Sequence, residues 1–310
     1  MKRGQKSVGY YVRGVIDRVS RKVYPRYKRR NVTLFRYTSA LGDALFLTTL
    51  AREVKKRNPA AHIHVITGLP EIFERNPDVN RITLHEPDKK FGIGKYLVRY
   101  EHRFPWKQHL LQECARSVDI FDNIELKTYI FPTDDDRSWA KKVVPDGSTK
   151  PVLICRTAGP RTDKKNWPES YWQQLLPELL ALHPVIEVGS AGAGIAPVST
   201  NYTDLRGKTT LHQLTALMER AGLLICPVTG LLHLASAVDL PVVCIAGGSE
   251  PALATRYKNT HHLVNRPHCA DCYEQGPCVS NFECLHAIRP ADVLAKVNAV
   301  ADETKNRTRN

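Results

Sequence analysis

The sequence predicts an α/β chain built as two doubly wound domains facing each other across a cleft, with a basic amphipathic helix in front of them. Three observations predict the body. Short apolar β-like runs alternate with helical runs through residues 31–85 and again through 152–245, the pattern that builds parallel sheets covered by helices. A polar stretch from Pro132 to Pro151, holding Asp134-Asp-Asp136 and Asp146-Gly-Ser148, separates the two sets and reads as a linker or hinge. The length, 310 residues, suits about two domains.

In the first set, residues 32–37 read as a strand and 45–57 as a helix ended by Asn58-Pro59. A strand at 62–67, a short helix at 70–75 and a strand at 81–85 follow. Residues 86–107 read as a loop rich in bases and aromatics, 109–118 as a helix and 126–131 as a strand. In the second set, strands at 152–156, 185–188, 223–226 and 242–245 alternate with helices at 168–182, 211–220 and 231–237. Pro168 falls in a first helical turn, where its missing N–H costs nothing. A closing helix over 288–300 and a frayed polar end over 301–310 complete the chain. The expected units are an arm over 1–30, a first domain over 31–145, and a second over 146–300 that includes a cysteine-rich segment at 267–286.

The formal net charge is +14, and its distribution matters more than its size. Eleven of the 45 Lys and Arg residues, but one acid (Asp17), lie within residues 1–30. The rest of the chain is nearly balanced, which disfavours nucleic acid as a partner of the body. Within the arm, Val8, Tyr11, Val12, Val15, Ile16, Val19 and Val23 recur at helical spacing between bases. Such a helix either lies on an anionic bilayer or packs its stripe on the body and leaves its bases solvated. No run of about 18 apolar residues is present to span a membrane. The start has no apolar segment before a small-residue cleavage site, so a cytoplasmic location is expected, with peripheral contact at the inner face of the membrane.

Ser39, Ala40, Leu41, Gly42 and Asp43 join the first strand to its helix. A strand that turns through a glycine into a helix sets N–H groups and one carboxylate at the mouth of a cleft, where open α/β sheets bind ligands. The helix dipole alone also favours an acid at Asp43. A second such turn runs from Leu223 through Thr229-Gly230 into a helix carrying Leu231 and His233, and a glycine turn, Ala246-Gly-Gly-Ser-Glu250, ends the next strand. Free N–H groups, the Thr229 hydroxyl and the close approach allowed by Gly230 suit an anion. A third element, Arg156 to Pro168, holds Thr157, Lys164 and Lys165 in a polar loop, and a lysine there would neutralise a diphosphate.

In order and spacing these segments resemble the ADP-heptose:lipopolysaccharide heptosyltransferases, glycosyltransferase family 9. The resemblance runs through Arg36-Tyr-Thr-Ser-Ala-Leu-Gly-Asp43, Arg75-Asn-Pro77, Lys165-Asn-Trp-Pro168, Asp204-Leu-Arg-Gly-Lys-Thr209 and Thr229-Gly-Leu-Leu-His-Leu-Ala235. It covers roughly residues 31–297 and implies the GT-B arrangement of two Rossmann-like domains. It further implies inversion at the anomeric carbon without a catalytic metal or other cofactor. By this resemblance Asp43 is the general base on an acceptor hydroxyl, with residues 39–42 as the acceptor-side loop. Thr157, Lys165, Thr229, Gly230, Leu231 and His233 lie against a nucleotide-diphosphate sugar. The donor sugar would be a heptose, and the acceptor a saccharide such as a lipid-linked lipopolysaccharide core. One departure stands out: where the family usually has Asp before Thr-Gly, this chain has Val228. The donor then differs, activity is reduced to binding, or another acid such as Glu250 substitutes. The same fold acting on another donor, or on a protein, is the nearest alternative.

Eight cysteines fall into two groups. Cys114, Cys155, Cys226 and Cys244 lie in apolar segments and read as core residues. Cys269, Cys272, Cys278 and Cys284 form a compact C-x2-C-x5-C-x5-C cluster, which reads either as a structural tetrahedral Zn or Fe site or as free or disulfide-bonded thiols.

Overall fold

The computed structural model of the chain describes residues 25–36, 40–85, 96–100, 104–159, 163–192, 197–273 and 276–307. The amphipathic part of the basic arm and Ser39 lie outside the described residues. The last residues of the arm are tied to the body, since Arg26 Nη1 donates to the Ser117 carbonyl at 2.8 Å and Arg26 N to Asp119 Oδ2 at 3.0 Å.

Two parallel sheets carry the chain. The first contains β1 (Asn31–Phe35), β2 (His62–Thr67), β3 (Arg81–Leu84) and β4 (Tyr96–Leu97), in the order β3-β2-β1-β4. The second contains β5 (Val152–Ile154), β6 (Val185–Glu187), β7 (Tyr202–Asp204), β8 (Leu223–Pro227), β9 (Val242–Ile245) and β10 (Thr260–Leu263). Its order is β10-β9-β8-β5-β6-β7. Strands β5, β8 and β9 are buried at every residue, as strands covered on both faces must be. The edge strand β3 leaves Arg81, Ile82 and Leu84 exposed.

Each sheet starts in its middle, grows one way, then crosses back. The reversal falls between β1 and β4 in the first sheet and between β5 and β8 in the second. Ligands of open α/β sheets sit outside the carboxyl ends of the strands at such a reversal. The residues that follow β1, β4, β5 and β8 therefore decide the site, and these include Asp43, Tyr100, Thr157 and Thr229.

Helix α1 (Leu41–Arg57) is buried continuously from Ala44 to Ala51. It packs against α2 (Leu110–Ala115) and also against α6 (Gly230–Ala235) of the second sheet's half. One apolar cluster consequently spans both halves, joining Leu45 and Leu50 to Leu232 and Leu234. A second cluster holds α4 (Glu169–Leu182), Leu285 of α7 (Glu283–His286) and α8 (Pro290–Arg307) together around Trp172, Val293 and Val297. The bases Lys55, Lys56 and Arg57 close α1 where its dipole favours them.

Several expectations are corrected. Residues 126–131 form no strand: the segment crosses between the halves, and side chains bond its backbone, with Tyr129 N donating to Thr48 Oγ1 at 2.9 Å. The expected linker contains helix α3 (Asp134–Val143), which packs on α5 (Leu211–Arg220). Its start is a capping box, in which Asp136 N donates to Thr133 Oγ1 at 3.1 Å and Thr133 N to Asp136 Oδ2 at 2.8 Å. The three-acid run is thus a helix's first turn. Strands β4, β7 and β10 went unpredicted, being short edge strands without a long apolar run. Helix α8 continues to Arg307, beyond the expected end at 300.

Candidate active site

From β1 the chain reaches α1 through Ala40, Leu41 and Gly42, which puts Asp43 in the helix's first turn. Asp43 Oδ1 pairs with Arg36 Nη2 at 2.8 Å and accepts the Tyr100 hydroxyl at 2.5 Å. Arg36 is itself fixed, donating to the Val98 carbonyl at 3.0 Å with its guanidinium 4.5 Å from the Tyr100 ring centre. Strand ends on both sides of the reversal thus grip one carboxylate oxygen. Oδ2 has no hydrogen-bond partner among the described residues and is free to accept another proton donor. Burial works against the Arg36 charge, but Cys114, Tyr100 and Asp43 outweigh it and keep the guanidinium ionised. Burial, followed by the charge of Asp43, pushes the Tyr100 phenol above its ordinary range, so it serves as a donor.

Opposite, β8 runs through buried Val228 into Thr229, which starts α6 without using its hydroxyl as a cap. Gly230 lies directly on Leu41: a Cβ there would sit 2.7 Å from the Leu41 Cβ. One turn later His233 is buried, its Nδ1 2.7 Å from the Tyr257 hydroxyl and its ring edge-on to Phe46 of α1 at 4.8 Å. A Cβ on Gly42 would lie 2.5 Å from His233 Cδ2 and 3.1 Å from Nε2. The two glycine turns therefore touch, and Asp43 follows the glycine that bears on His233. Burial first, then the charge of Lys165, lowers the His233 pKa to about 3, so the imidazole is neutral.

The third predicted loop reaches the same cleft. Lys165 is ion-paired with Glu250 on the turn after β9, and its Nζ lies 5.4 Å from the Tyr273 ring centre. Tyr273 meets Trp106 at 5.2 Å, and Trp106 meets Tyr100 at 5.2 Å. An aromatic row thereby links the phenol on Asp43 to the ring beside Lys165. Thr157 is partly exposed just beyond β5. The loop behind it is closed by a 2.8 Å bond from Ala158 N to Asn166 Oδ1.

Not every predicted residue presents a side chain to the cleft. Leu231 is buried in the core that spans both halves, leaving its backbone alone for a ligand. Asp204 and Arg206 bond each other at 2.8 and 2.9 Å and brace the sheet edge. Arg75 likewise serves structure, donating to the Phe131 carbonyl at 3.2 Å. Sequence reasoning missed Arg36, Tyr100, Tyr257 and Tyr273. Arg36 and Tyr100 had weak signals, in the residue closing the first strand and in the aromatic-rich loop; Tyr257 had none.

The four clustered thiols line one pocket with Lys164, Ser249 and Ser280, and none of the eight cysteines is in a disulfide. Among the described residues, however, no three His, Cys, Asp or Glu side chains are arranged to hold a metal ion. The Ser280 hydroxyl lies beside two of the four thiols. Cys269 Sγ donates to Ser280 Oγ at 3.1 Å, and Cys278 Sγ is 3.8 Å from the same oxygen. The pocket backs the turn after β9 and Tyr273. Tyr273 N donates to the Ser249 carbonyl at 2.7 Å, and a Cβ on Gly247 would meet Cys284 Sγ at 3.3 Å.

Among solved structures, the chain is similar to ADP-heptose lipopolysaccharide heptosyltransferase II of E. coli, with a TM-score of 0.64 at 18% identity over 88% of this chain and 99% of that one. A glycosyl transferase family 9 protein of Veillonella parvula matches with a TM-score of 0.69 at 17% identity, covering 89% and 98% of the two chains. The iron-containing dodecameric glycosyltransferase TibC of enterotoxigenic E. coli matches with a TM-score of 0.67 at 19% identity, covering 89% and 77%; TibC has also been solved with ADP-D-β-D-heptose bound. These likenesses establish the fold, the GT-B arrangement. No curated protein sequence matches significantly. The profile of glycosyltransferase family 9 (heptosyltransferase) matches residues 95–281. That span is more than half of the chain, and the chain belongs to this family.

Proposed function

We propose that this chain is an inverting glycosyltransferase that moves a sugar, a heptose in the first instance, from a nucleoside-diphosphate donor to a saccharide acceptor such as a lipopolysaccharide core. The observation that carries the reading is the contact of the two glycine turns. Gly42 lies against His233, with Asp43 on one side and the Thr229 turn and Lys165 on the other. Direct displacement at a sugar carbon needs a base for the acceptor and, facing it, a cradle for the leaving group.

In this reading Asp43 Oδ2 takes the proton of an acceptor hydroxyl, while Arg36 and Tyr100 hold the other carboxylate oxygen. The acceptor oxygen bonds to the anomeric carbon as the bond from that carbon to the diphosphate oxygen breaks. The electron pair leaves with the diphosphate, whose charge Lys165 meets. Thr157, the Thr229 hydroxyl, the backbone of Gly230 and Leu231, and His233 line the donor side. Glu250 stands on the turn after β9, the strand next to β8, and pairs with Lys165, which supports it as the acid replacing the family's usual Asp at Val228. TibC, of the same fold, binds ADP-heptose, which supports an ADP-sugar as the first donor to try. The reading extends to a cytoplasmic enzyme whose basic arm meets the inner membrane face.

The test is release of nucleoside diphosphate from a panel of ADP-, UDP- and GDP-sugars, with and without lipopolysaccharide core saccharide. Acceptor-dependent release from one donor, lost in Asp43→Asn with donor affinity kept, supports the reading. Tight donor binding without turnover on any acceptor would make the chain a nucleotide-sugar binder instead.

A further inference from the structure

His233 sits where the two halves touch, and what its imidazole does there depends on which nitrogen carries the proton. Nδ1 lies 2.7 Å from the Tyr257 hydroxyl. Tyr257 is 2% exposed, so its O–H must find an acceptor inside the protein or leave a buried donor unmade. A second polar atom beside the phenol is Ser236 Oγ. It donates to the His233 carbonyl at 2.8 Å, accepts Thr128 N–H at 3.2 Å and lies 3.1 Å from Thr128 Oγ1. Were Nδ1 the donor, the phenolic proton would have to go to Ser236 Oγ, which already accepts Thr128 N–H and is a weaker acceptor than an imidazole nitrogen. The phenol therefore donates and Nδ1 accepts.

The phenol cannot readily swing away. On its far side the His109 ring stands edge-on at 4.7 Å, and His109 is pinned by accepting Leu111 N–H at its own Nδ1, 3.1 Å away. On the near side the His233 and Tyr257 rings meet edge-on at 5.6 Å.

We infer that Tyr257 is a positioning residue that locks His233 as the Nε2–H tautomer, so that His233 offers the cleft a neutral hydrogen-bond donor. Nε2 has no partner among the described residues, and it is not among the buried polar atoms cut off from solvent. It faces Gly42, immediately before Asp43. The group that suits it is an oxygen acceptor on the donor substrate, a sugar hydroxyl or a phosphate oxygen. A fixed neutral donor at this point binds such an oxygen without competing with Asp43 for the acceptor's proton. The neutral state agrees with the lowering of the His233 pKa to about 3, by burial first and by Lys165 and His262 next. This inference rests on the proposed function for its substrate but not for its tautomer.

The test is two-dimensional 15N–1H NMR of the histidine side chains in the full chain, with His233→Gln used to assign the His233 signals, in wild type and Tyr257→Phe. The expected wild-type pattern has the proton on Nε2 and an unprotonated Nδ1, and no titration between pH 5.5 and 8 on the order expected of a free imidazole. Tyr257→Phe, which removes one oxygen and keeps the ring, should mix the tautomers. It should also raise the donor KM roughly five- to tenfold with a smaller change in kcat, as loss of a ground-state hydrogen bond does. A wild-type proton on Nδ1, or a tautomer pattern unmoved by Tyr257→Phe, would overturn the inference. If Tyr257→Phe melts early, the wild-type tautomer alone still decides it. A chain that transfers no sugar at all would contradict the proposed function and leave the tautomer measurement standing.

Discussion

Gly42→Ala is the sharpest mechanical probe of the cleft. The new Cβ would fall 2.5 Å from His233 Cδ2, about 1 Å inside ordinary carbon–carbon contact. His233 cannot retreat easily, since Nδ1 is bonded to Tyr257 and the ring is packed on Phe46. The relief must come from α1 moving away from α6, which breaks packing in the core that spans both halves. Overpacking of this kind costs about 1–3 kcal/mol. A separation of ~1 Å between base and donor cradle is worth on the order of 100-fold in rate. Gly222→Ala is the control. At the amino end of β8 its Cβ would find its nearest atom at 3.4 Å, an ordinary contact. Thermal unfolding by circular dichroism and initial rates of donor turnover read the two effects. Gly42→Ala should lose both stability and rate while Gly222→Ala keeps both. A Gly42→Ala protein with wild-type melting and wild-type kcat/KM would show that the halves do not meet as described.

Other outcomes follow from the same geometry. Asp43→Asn should lower kcat about 10²- to 10⁴-fold, the usual share of a general base, with donor affinity by calorimetry unchanged. Arg36→Ala strands the Asp43 carboxylate and should cost about 3 kcal/mol or more by urea denaturation, because removing one partner leaves a nearly buried charge uncompensated. Lys165→Met should raise the donor KM at least tenfold, and Glu250→Gln should raise it less, since the lysine charge survives. For pH, burial lowers His109 and His233 to about 3 and His262 to about 4. The unfolded chain binds protons at ~6.5 that the folded one refuses. Stability from these three residues is therefore complete above that pH and declines as pH falls toward 4. The urea midpoint should drop between pH 7 and 5, and less steeply in His262→Gln.

How much of this was legible in the sequence varies by physical cause. The central strands were readable because burial on both faces writes an uninterrupted apolar run, as at residues 223–226. The glycine turns were readable because close approach leaves no substitute for glycine, and both Gly42 and Gly230 bear out that logic against the opposite half. Edge strands β4, β7 and β10 were not readable, since each is two to four residues long and pairs on one side alone. The segment at 126–131 misled because it is apolar and extended, yet its backbone bonds go to the side chains of Thr48 and Thr49 on α1 and of Ser236 just after α6. The acidic run at 134–136 reads as part of a linker or hinge, although Thr133, three residues before Asp136, announces a capped helix start. Tyr257 and Tyr273 could not be found by pattern. Their roles come from tertiary contacts with His233 and Lys165 that no local spacing encodes.

The central claim is that one carboxylate and the facing cradle act on the two partners of a single displacement. It is tested most directly by the stereochemistry and Asp43-dependence of transfer from an α- or β-configured nucleotide sugar, followed by NMR of the product's anomeric proton. The account predicts a product of inverted configuration, formed by wild type and suppressed in Asp43→Asn. A product of retained configuration, or transfer unaffected by Asp43→Asn, would contradict it.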